Sequence, residues 1–573
     1  MTLPHRLSPS AHIDTFTRDR LPPADLWPTI EFSTPELRYP DRLNAATELI
    51  DTPISLFGPD RPALRTPSGE LWSYGELRIR AQQIAQVLTE DLGLVPGQRV
   101  LLRSPNNPWT VAAWLGVLKA GGVVVTTMAA LRTRELVPVA ERTRPSIALV
   151  DHRFADDVHT VRDTVLPGLA VVEYGGTGPE DLVARAVAKS GEFTDVRTAA
   201  DDVALLGPTS GSTGAPKITM HFHRDILSID NTFGRHTLGL VPHDLVACTA
   251  PLAFTFGLGM LVVFPLRAGA CALLTESATP PRLAEIVRRD GVTVLATAPT
   301  AYRAILREGK EQWLAGLRIG VSAGEHIPRA TWEQLRTHIG LKVVDGIGAT
   351  ELLHIFISAA GADIRPGATG KAVPGYRATV LGPDGAELGP GEPGRLGVIG
   401  PVGCRYLDGE RQRDYVLAGW NITGDIFHRD EDGYFHYHAR SDSMIVSSGY
   451  NIGGPEVEAA IDTHPDVVES AVVGRPDPER GSIVCAFVVL RDGVPGDEAK
   501  AKEIQDHVKR VLAPYKYPRD VRFQDALPRN TSGKLQRFKL LRQVQEVQQV
   551  QQVQQVQQAD DERAAEAKAV AES

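Results

Sequence analysis

The sequence predicts an α/β protein with a large N-terminal domain of mostly parallel sheets, a β-rich subdomain and a small α+β C-terminal lobe. Three observations carry this. Short β-branched runs alternate with helix-like stretches between Val100 and Val321, the pattern of strands joined by helices. Past Val380 strands follow one another more closely, and Gly and Pro cluster in GPDGAELGPGEPG (382–394). Past Arg440 one helix, two apolar runs and a long helix form a unit of about a hundred residues, an ordinary domain size. A chain of 573 residues is in any case too long for one core. The boundaries read as 1–441 for the large domain, 442–541 for the lobe and 542–573 for a tail.

Taken in order, residues 1 to about 50 are Pro-rich and irregular and are expected to wrap over a larger body. Val100–Arg103 reads as a strand, Thr110–Lys119 as an apolar helix and Val123–Thr127 as a strand. Ile147–Asp151, Val203–Leu206, Val246–Thr249, Val292–Ala296 and Leu317–Val321 continue the strands, with helices at Arg282–Asp290 and Thr300–Arg307. In the lobe, Pro455–Thr463 and Ala499–Leu512 read as helices, and Val467–Val473 with Ser482–Leu490 as paired strands. The most apolar window, Ala250–Leu274, is broken by Pro251, Pro265, Arg267 and several glycines. It reads as core strands and turns, not a membrane span. In the tail, QVQEVQQVQQVQQVQQ (543–558), valines recur every third residue. At about 100° per residue they sweep around a helix and leave no fixed stripe, so the segment reads as a low-complexity extension, with an oligomerising helix as the alternative.

Composition excludes several classes. With 61 basic and 70 acidic residues the net charge is −9, a poor default for nucleic-acid binding. The N-terminus has no apolar signal region, and no membrane association is expected. Cys248, Cys271, Cys404 and Cys485 form neither a CxxC pair nor a disulfide framework, which fits a reduced, cytoplasmic setting. His221 and His223 would share a face on a strand and could mimic a metal pair, but no third ligand is evident.

The segment Pro208-Thr209-Ser210-Gly211-Ser212-Thr213-Gly214-Ala215-Pro216-Lys217 carries the most chemistry. Glycines let backbone N–H groups approach an anion, hydroxyls donate to phosphate oxygens, and Lys217 adds a charge. A flexible linker would share the composition, but the preceding strand and the closing Pro-Lys argue against it. The GxxxxGK[ST] spacing of P-loop proteins is absent.

This loop resembles the phosphate loop of the adenylate-forming superfamily, which includes acyl-CoA synthetases, luciferases and peptide-synthetase adenylation domains. Further ordered motifs extend the resemblance from about Leu56 to Leu541. It implies a large AMP-binding domain with stacked sheets and a mobile C-terminal lobe. In Asp345-Gly346-Ile347-Gly348-Ala349-Thr350-Glu351, Thr350 would contact the α-phosphate and Glu351 would hold Mg²⁺. Ser322-Ala323-Gly324-Glu325 matches the loop lining the adenine pocket, and Asp425 of Thr423-Gly424-Asp425 would accept from the ribose hydroxyls. In Arg440-Ser441-Asp442, Arg440 would contact the nucleotide and Asp442 would be the hinge. Ala439 and Ser443 stand where the family often has Gly and Asp. Lys534, in Leu527-Pro528-Arg529-Asn530-Thr531-Ser532-Gly533-Lys534, matches the catalytic lysine of the small lobe.

Within the superfamily the chain is most similar to benzoate–CoA and 2-aminobenzoate–CoA ligases, through HIDTFTRDRLPP (12–23), MHFHRD (220–225), GIGATELLHIF (346–356), YKYPRDVRF (515–523) and GKLQRFKL (533–540). The resemblance implies an ATP-dependent acid–thiol ligase with a small aromatic carboxylate, ATP and CoA as substrates and Mg²⁺ as cofactor. Phe254 and Phe256 would wall the ring, with Thr255 and His354 as polar groups near it. Because an unpaired buried polar atom costs about 1–3 kcal/mol, an ortho hydroxyl or amine is favoured: salicylate or anthranilate over benzoate. Gly449 would line the pantetheine tunnel. Open alternatives are plain benzoate, another thiol acceptor such as a carrier protein, a catalytically silent binding module and a luciferase-like oxygenase. The chain could be a monomer or a homodimer.

Overall fold

The computed structural model describes residues 7–209, 216–324, 327–409, 411–441, 444–447, 450–477, 480–512, 514–530 and 535–544. The architecture is the predicted α/β one, divided into two compact units. Residues 1–423 with 428–437 make the larger, and 424–427 with 438–573 the smaller.

The larger unit is organised around two mainly parallel sheets. The first has six strands in the order Ala170–Tyr174, Ile147–Asp151, Arg99–Arg103, Val123–Thr127, Val203–Thr209 and Lys217–Phe222. The first five are parallel, and the last returns antiparallel to Val203–Thr209. All residues of the three strands Arg99–Arg103, Val123–Thr127 and Ile147–Asp151 are buried, as strands covered on both faces must be. The helix Pro108–Lys119 is buried on nearly every side. Asn107 caps it by accepting from the Thr110 N–H at 3.0 Å, and proline opens its first turn. At Gly116 an added Cβ would lie 2.8 Å from the Ala81 carbonyl, so glycine sets how closely the helix Tyr74–Gln86 approaches. The N-terminal segment does lie on this body: Trp27 enters the core of the six-stranded sheet, its indole N–H donating to the Pro22 carbonyl at 2.7 Å.

The second sheet has nine strands. Pro62–Arg65, Cys271–Leu273, Leu245–Cys248, Val294–Thr297, Ile319–Ser322 and Val343–Gly348 are parallel, while Leu71–Ser73 at one edge and Ile355–Ser358 with Lys371–Ala372 at the other are antiparallel. Helices Pro280–Asp290, Pro299–Arg307 and Arg329–Ile339 supply the apolar layer on it. The window 250–274 corrects the expectation of strands and turns. Thr255–Leu258, Gly259–Val263 and Phe264–Ala268 run helically, with wide π-type turns in the middle, and only Cys271–Leu273 is a strand. A segment buried on all sides has no polar face, so its period is invisible in the sequence.

The β-rich region is antiparallel: Arg377–Leu381 pairs Gly394–Ile399, and Val416–Leu417 pairs Trp420–Arg429. In the smaller unit Val467–Asp477 and Gly481–Leu490 are antiparallel, Asp520–Phe523 joins in parallel, and helices Gly454–Ile461 and Glu498–Val511 cover the sheet. No helix among the described residues is long and apolar enough to cross a membrane.

Candidate active site

The predicted loops leave the carboxyl ends of parallel strands, where open α/β sheets place their ligand sites. Val203–Thr209 and Lys217–Phe222 form a hairpin in which Thr209 faces Lys217, so the two ends of the phosphate-loop segment are held side by side. In the other sheet Ile319–Ser322 leads to Gly324, whose φ of +91° suits glycine, and Val343–Gly348 leads through Ala349 into the short turn Thr350–Leu352. Asp345 and Gly346 are strand residues there, and Asp345 is buried.

Gly207 is where the two sheets meet. An added Cβ would lie 2.7 Å from Thr219 Oγ1 and 3.2 Å from Thr350 Cγ2. Thr350 therefore sits beside the strand that feeds the phosphate loop, and Glu351 follows it. The Tyr406 hydroxyl donates to Glu351 Oε1 at 2.5 Å, and Lys217 Nζ lies 5.4 Å from the centre of the Tyr406 ring. Tyr406 reaches this place because residues 405–407 run beside the outer strand of the hairpin. The Met220 N–H donates to the Arg405 carbonyl and the Leu407 N–H to the Ile218 carbonyl. Sequence reasoning missed Tyr406. It lies 55 residues from Glu351, in no phosphate motif, and only the fold brings the two together.

A pocket opens from Thr350 along this seam. Its wall is Thr126, Leu205, Gly207, Pro208, Ala253, Phe254, Thr255 and Leu258. The Thr126 hydroxyl is engaged by the Ala253 carbonyl at 3.0 Å. Phe254 and Thr255 thus face the pocket, whereas His354 is enclosed behind it. The His354 ring lies 5.2, 5.5 and 4.7 Å from the centres of Phe233, Phe256 and Phe264, and presses on Gly259, where a Cβ would meet it at 2.4 Å. Burial drives its pKa down to about 3, partly opposed by the Phe256 backbone, so the ring is neutral near pH 7. Leu353, just before it, takes a φ of +67°, a strained conformation for leucine that turns the chain so that His354 points inward.

In the smaller unit Arg440 Nη1 donates to Asp425 Oδ1 at 3.3 Å, and the Ser441 N–H donates to the Gly424 carbonyl. Asp425 is buried while the Arg440 side chain is half exposed.

One family model, that of the AMP-binding enzymes, matches residues 57–405, and the model of their C-terminal domain matches 456–534. The benzoate–CoA ligase of Thauera aromatica is 34% identical over 516 residues, 88% of this chain and 97% of that protein. The chain belongs to the AMP-binding enzyme family. A mitochondrial acyl-coenzyme A synthetase of Mus musculus is 34% identical over 487 residues, 82% of this chain and 83% of that protein. An anthranilate CoA ligase solved with anthranoyl-AMP superposes with a TM-score of 0.84 at 30% identity, over 90% of this chain and 99% of that one. The reaction class of this AMP-binding enzyme is therefore acid–CoA ligation through an acyl-adenylate.

Several predicted positions of the ligase, Ser210, Gly211, Ser212, Thr213, Gly214, Glu325, Asp442, Gly449 and Lys534, lie outside the described residues. Some of their flanks do not. Arg529 bridges Leu535 on either side of the segment that contains Lys534, and Ser447 faces Tyr450 on either side of Gly449. The shared face that His221 and His223 would have on a strand does not arise. The strand stops at Phe222, and His223 opens the helix His223–Ile229, its Nδ1 accepting from the Ala45 N–H at 3.1 Å. All four cysteines are buried free thiols. Burial pushes Cys248, Cys271 and Cys485 up to about 12 and Cys404 well above its ordinary value.

Proposed function

We propose that this AMP-binding enzyme activates a small aromatic carboxylate as its acyl-adenylate and transfers the aryl group to coenzyme A, with an ortho-substituted benzoate as the preferred acid. The observation that carries this reading is the pocket at Thr350, whose wall is apolar at Leu205, Ala253, Phe254 and Leu258. A flat ring buries its faces against such a wall, and its carboxylate points toward Thr350, beside the strand that feeds the phosphate loop. The names of two similar proteins, a benzoate and an anthranilate ligase, support an aryl acid.

In this reading the loop 209–217, with Thr209 and Lys217 at its ends, cradles the ATP phosphates, and Thr350 meets the α-phosphate. Gly324 and Glu325, with Asp345 and Gly346, border the adenine; Asp425 takes the ribose hydroxyls, and Arg440 contacts the nucleotide. Glu351 would hold Mg²⁺, whose charge offsets that of the phosphates. A magnesium ion kept by one carboxylate plus phosphate oxygens and water is the usual arrangement, and Glu351 suits it, since Oε2 has no protein partner among the described residues. Residues 442–541 form the lobe that brings Lys534 to the carboxylate, turning at Asp442. After the turn, Gly449 leaves room for pantetheine. The thiol then attacks the acyl carbonyl carbon and AMP leaves, so no enzyme nucleophile is needed.

Thr255, on the pocket wall, is the group placed to meet an ortho substituent, with the neutral His354 behind Phe256. A site built to hydrogen-bond a substrate group rejects the analogue that lacks it. The test is kcat/KM for benzoate, salicylate, anthranilate, 4-hydroxybenzoate and a medium-chain fatty acid at saturating CoA. Salicylate or anthranilate should lead. A tenfold lead for benzoate, about 1.4 kcal/mol, overturns the ortho preference and leaves plain benzoate ligation standing. A lead for the fatty acid overturns the aryl reading.

A further inference from the structure

We infer that Tyr406 is a positioning residue of the adenylation step, holding Glu351 in the orientation that receives the metal–nucleotide complex and keeping it apart from Lys217. The inference rests on the reading of Glu351 given above and adds a residue to it.

The geometry is that of a partition. The phenol edge donates to Glu351 Oε1 at 2.5 Å, and Lys217 Nζ stands 5.4 Å from the ring centre. Glu351 and Lys217 carry opposite charge at one mouth, yet no ion pair forms between them among the described residues. Such a pair would neutralise both of the groups that a magnesium polyphosphate needs. The ring itself has little freedom. The residue is 2% exposed, its N–H donates to Gln412 Oε1 at 3.0 Å, Thr219 bridges its backbone, and Tyr415 packs edge-on at 5.8 Å. With Oε1 held, Oε2 is the oxygen left for a cation. Groups that hydrogen-bond a metal-ligating carboxylate commonly set metal affinity by about 10–100-fold.

The test is ATP binding to the full chain without acid or CoA, followed by calorimetry at graded Mg²⁺ concentrations, beside ligand-free melting. Tyr406→Phe keeps the ring and its packing and should raise the Mg²⁺ concentration for half-maximal ATP binding about tenfold, with little change in melting. Tyr406→His restores a donor and should fall between wild type and Tyr406→Phe. A requirement in Tyr406→Phe equal to wild type, or one in Tyr406→His at or above that of Tyr406→Phe, overturns the inference. So does a lowered melting temperature with an unchanged Mg²⁺ requirement, which is the mark of a packing role. Glu351→Gln separates the two levels. If it leaves the Mg²⁺ requirement unchanged, the assignment of Glu351 fails. If it raises the requirement while Tyr406→Phe does not, only Tyr406 is misassigned.

Discussion

The two walls of the candidate site are built on different principles. The phosphate-facing wall is tied by directed bonds: Tyr406 to Glu351, Thr219 Oγ1 to the Gly207 carbonyl at 3.1 Å, and Thr209 opposite Lys217. The packing behind the acid-facing wall is held by shape. Phe233, Phe256 and Phe264 surround His354, and Gly259 leaves room for it. Phosphate chemistry needs particular donors and charges in a fixed order, whereas a dry aromatic wall can be built from many sequences of equal volume. The first wall is therefore written in motifs, and the second only in packing.

Three experiments probe that contrast. The largest effect should be on stability against pH, because both walls bury neutral imidazoles. Burial depresses His221 to about 4 on the phosphate side, and His223 and His354 to about 3. The unfolded chain takes up these protons near pH 6.5 and the folded one does not, so stability is full above about 6.5 and falls as pH drops below it. Each ring contributes about 1.4 kcal/mol per pH unit, roughly 4 for the three. The melting temperature should fall steeply from pH 6.5 to 5, and His354→Leu should make the fall shallower. A flat profile would mean that the rings are charged in the fold.

Next in size is Lys534→Ala. On the adenylation role proposed for this lysine, the variant should slow acyl-adenylate formation by about 10²–10³ while sparing conversion of supplied acyl-adenylate to thioester. Equal loss in both half-reactions would contradict a lysine that serves adenylation alone. Smallest is Gly259→Ala on the acid side. Its methyl meets the His354 ring, so overpacking should cost about 1–3 kcal/mol, read by denaturant unfolding, and should shift acid preference more than ATP binding. An unchanged stability would show that this wall yields more readily than its packing implies.

The same contrast explains what could be read beforehand. Val123–Thr127 and Ile147–Asp151 are strands at their predicted bounds, because a β-branched run between turn residues has one good solution. The helices Thr133–Thr143 and Asp156–Thr164 went unread, the first because Pro138 interrupts it. Thr350 and Glu351 were placed by a Gly-rich motif, and the structure sets Thr350 beside the phosphate-loop strand at Gly207. Tyr406 had no such signal: an aromatic residue in CRYLDG reads as core, and its role depends on a strand pairing that no local pattern announces. His354 was expected among the polar groups near the ring, and the structure seals it among three phenylalanines, a burial set by segments far apart in sequence.

An enzyme that makes mixed anhydrides beside a thiol substrate is exposed to self-acylation, because any thiolate of its own would compete with CoA for the activated acyl group. With all four cysteines buried and their pKa values raised, almost none is thiolate at neutral pH, and none lies on the surface. The native protein is thus a silent background for thiol-directed labels. A cysteine introduced on each unit could carry a fluorophore pair to test whether the two move during turnover, without first removing a native residue.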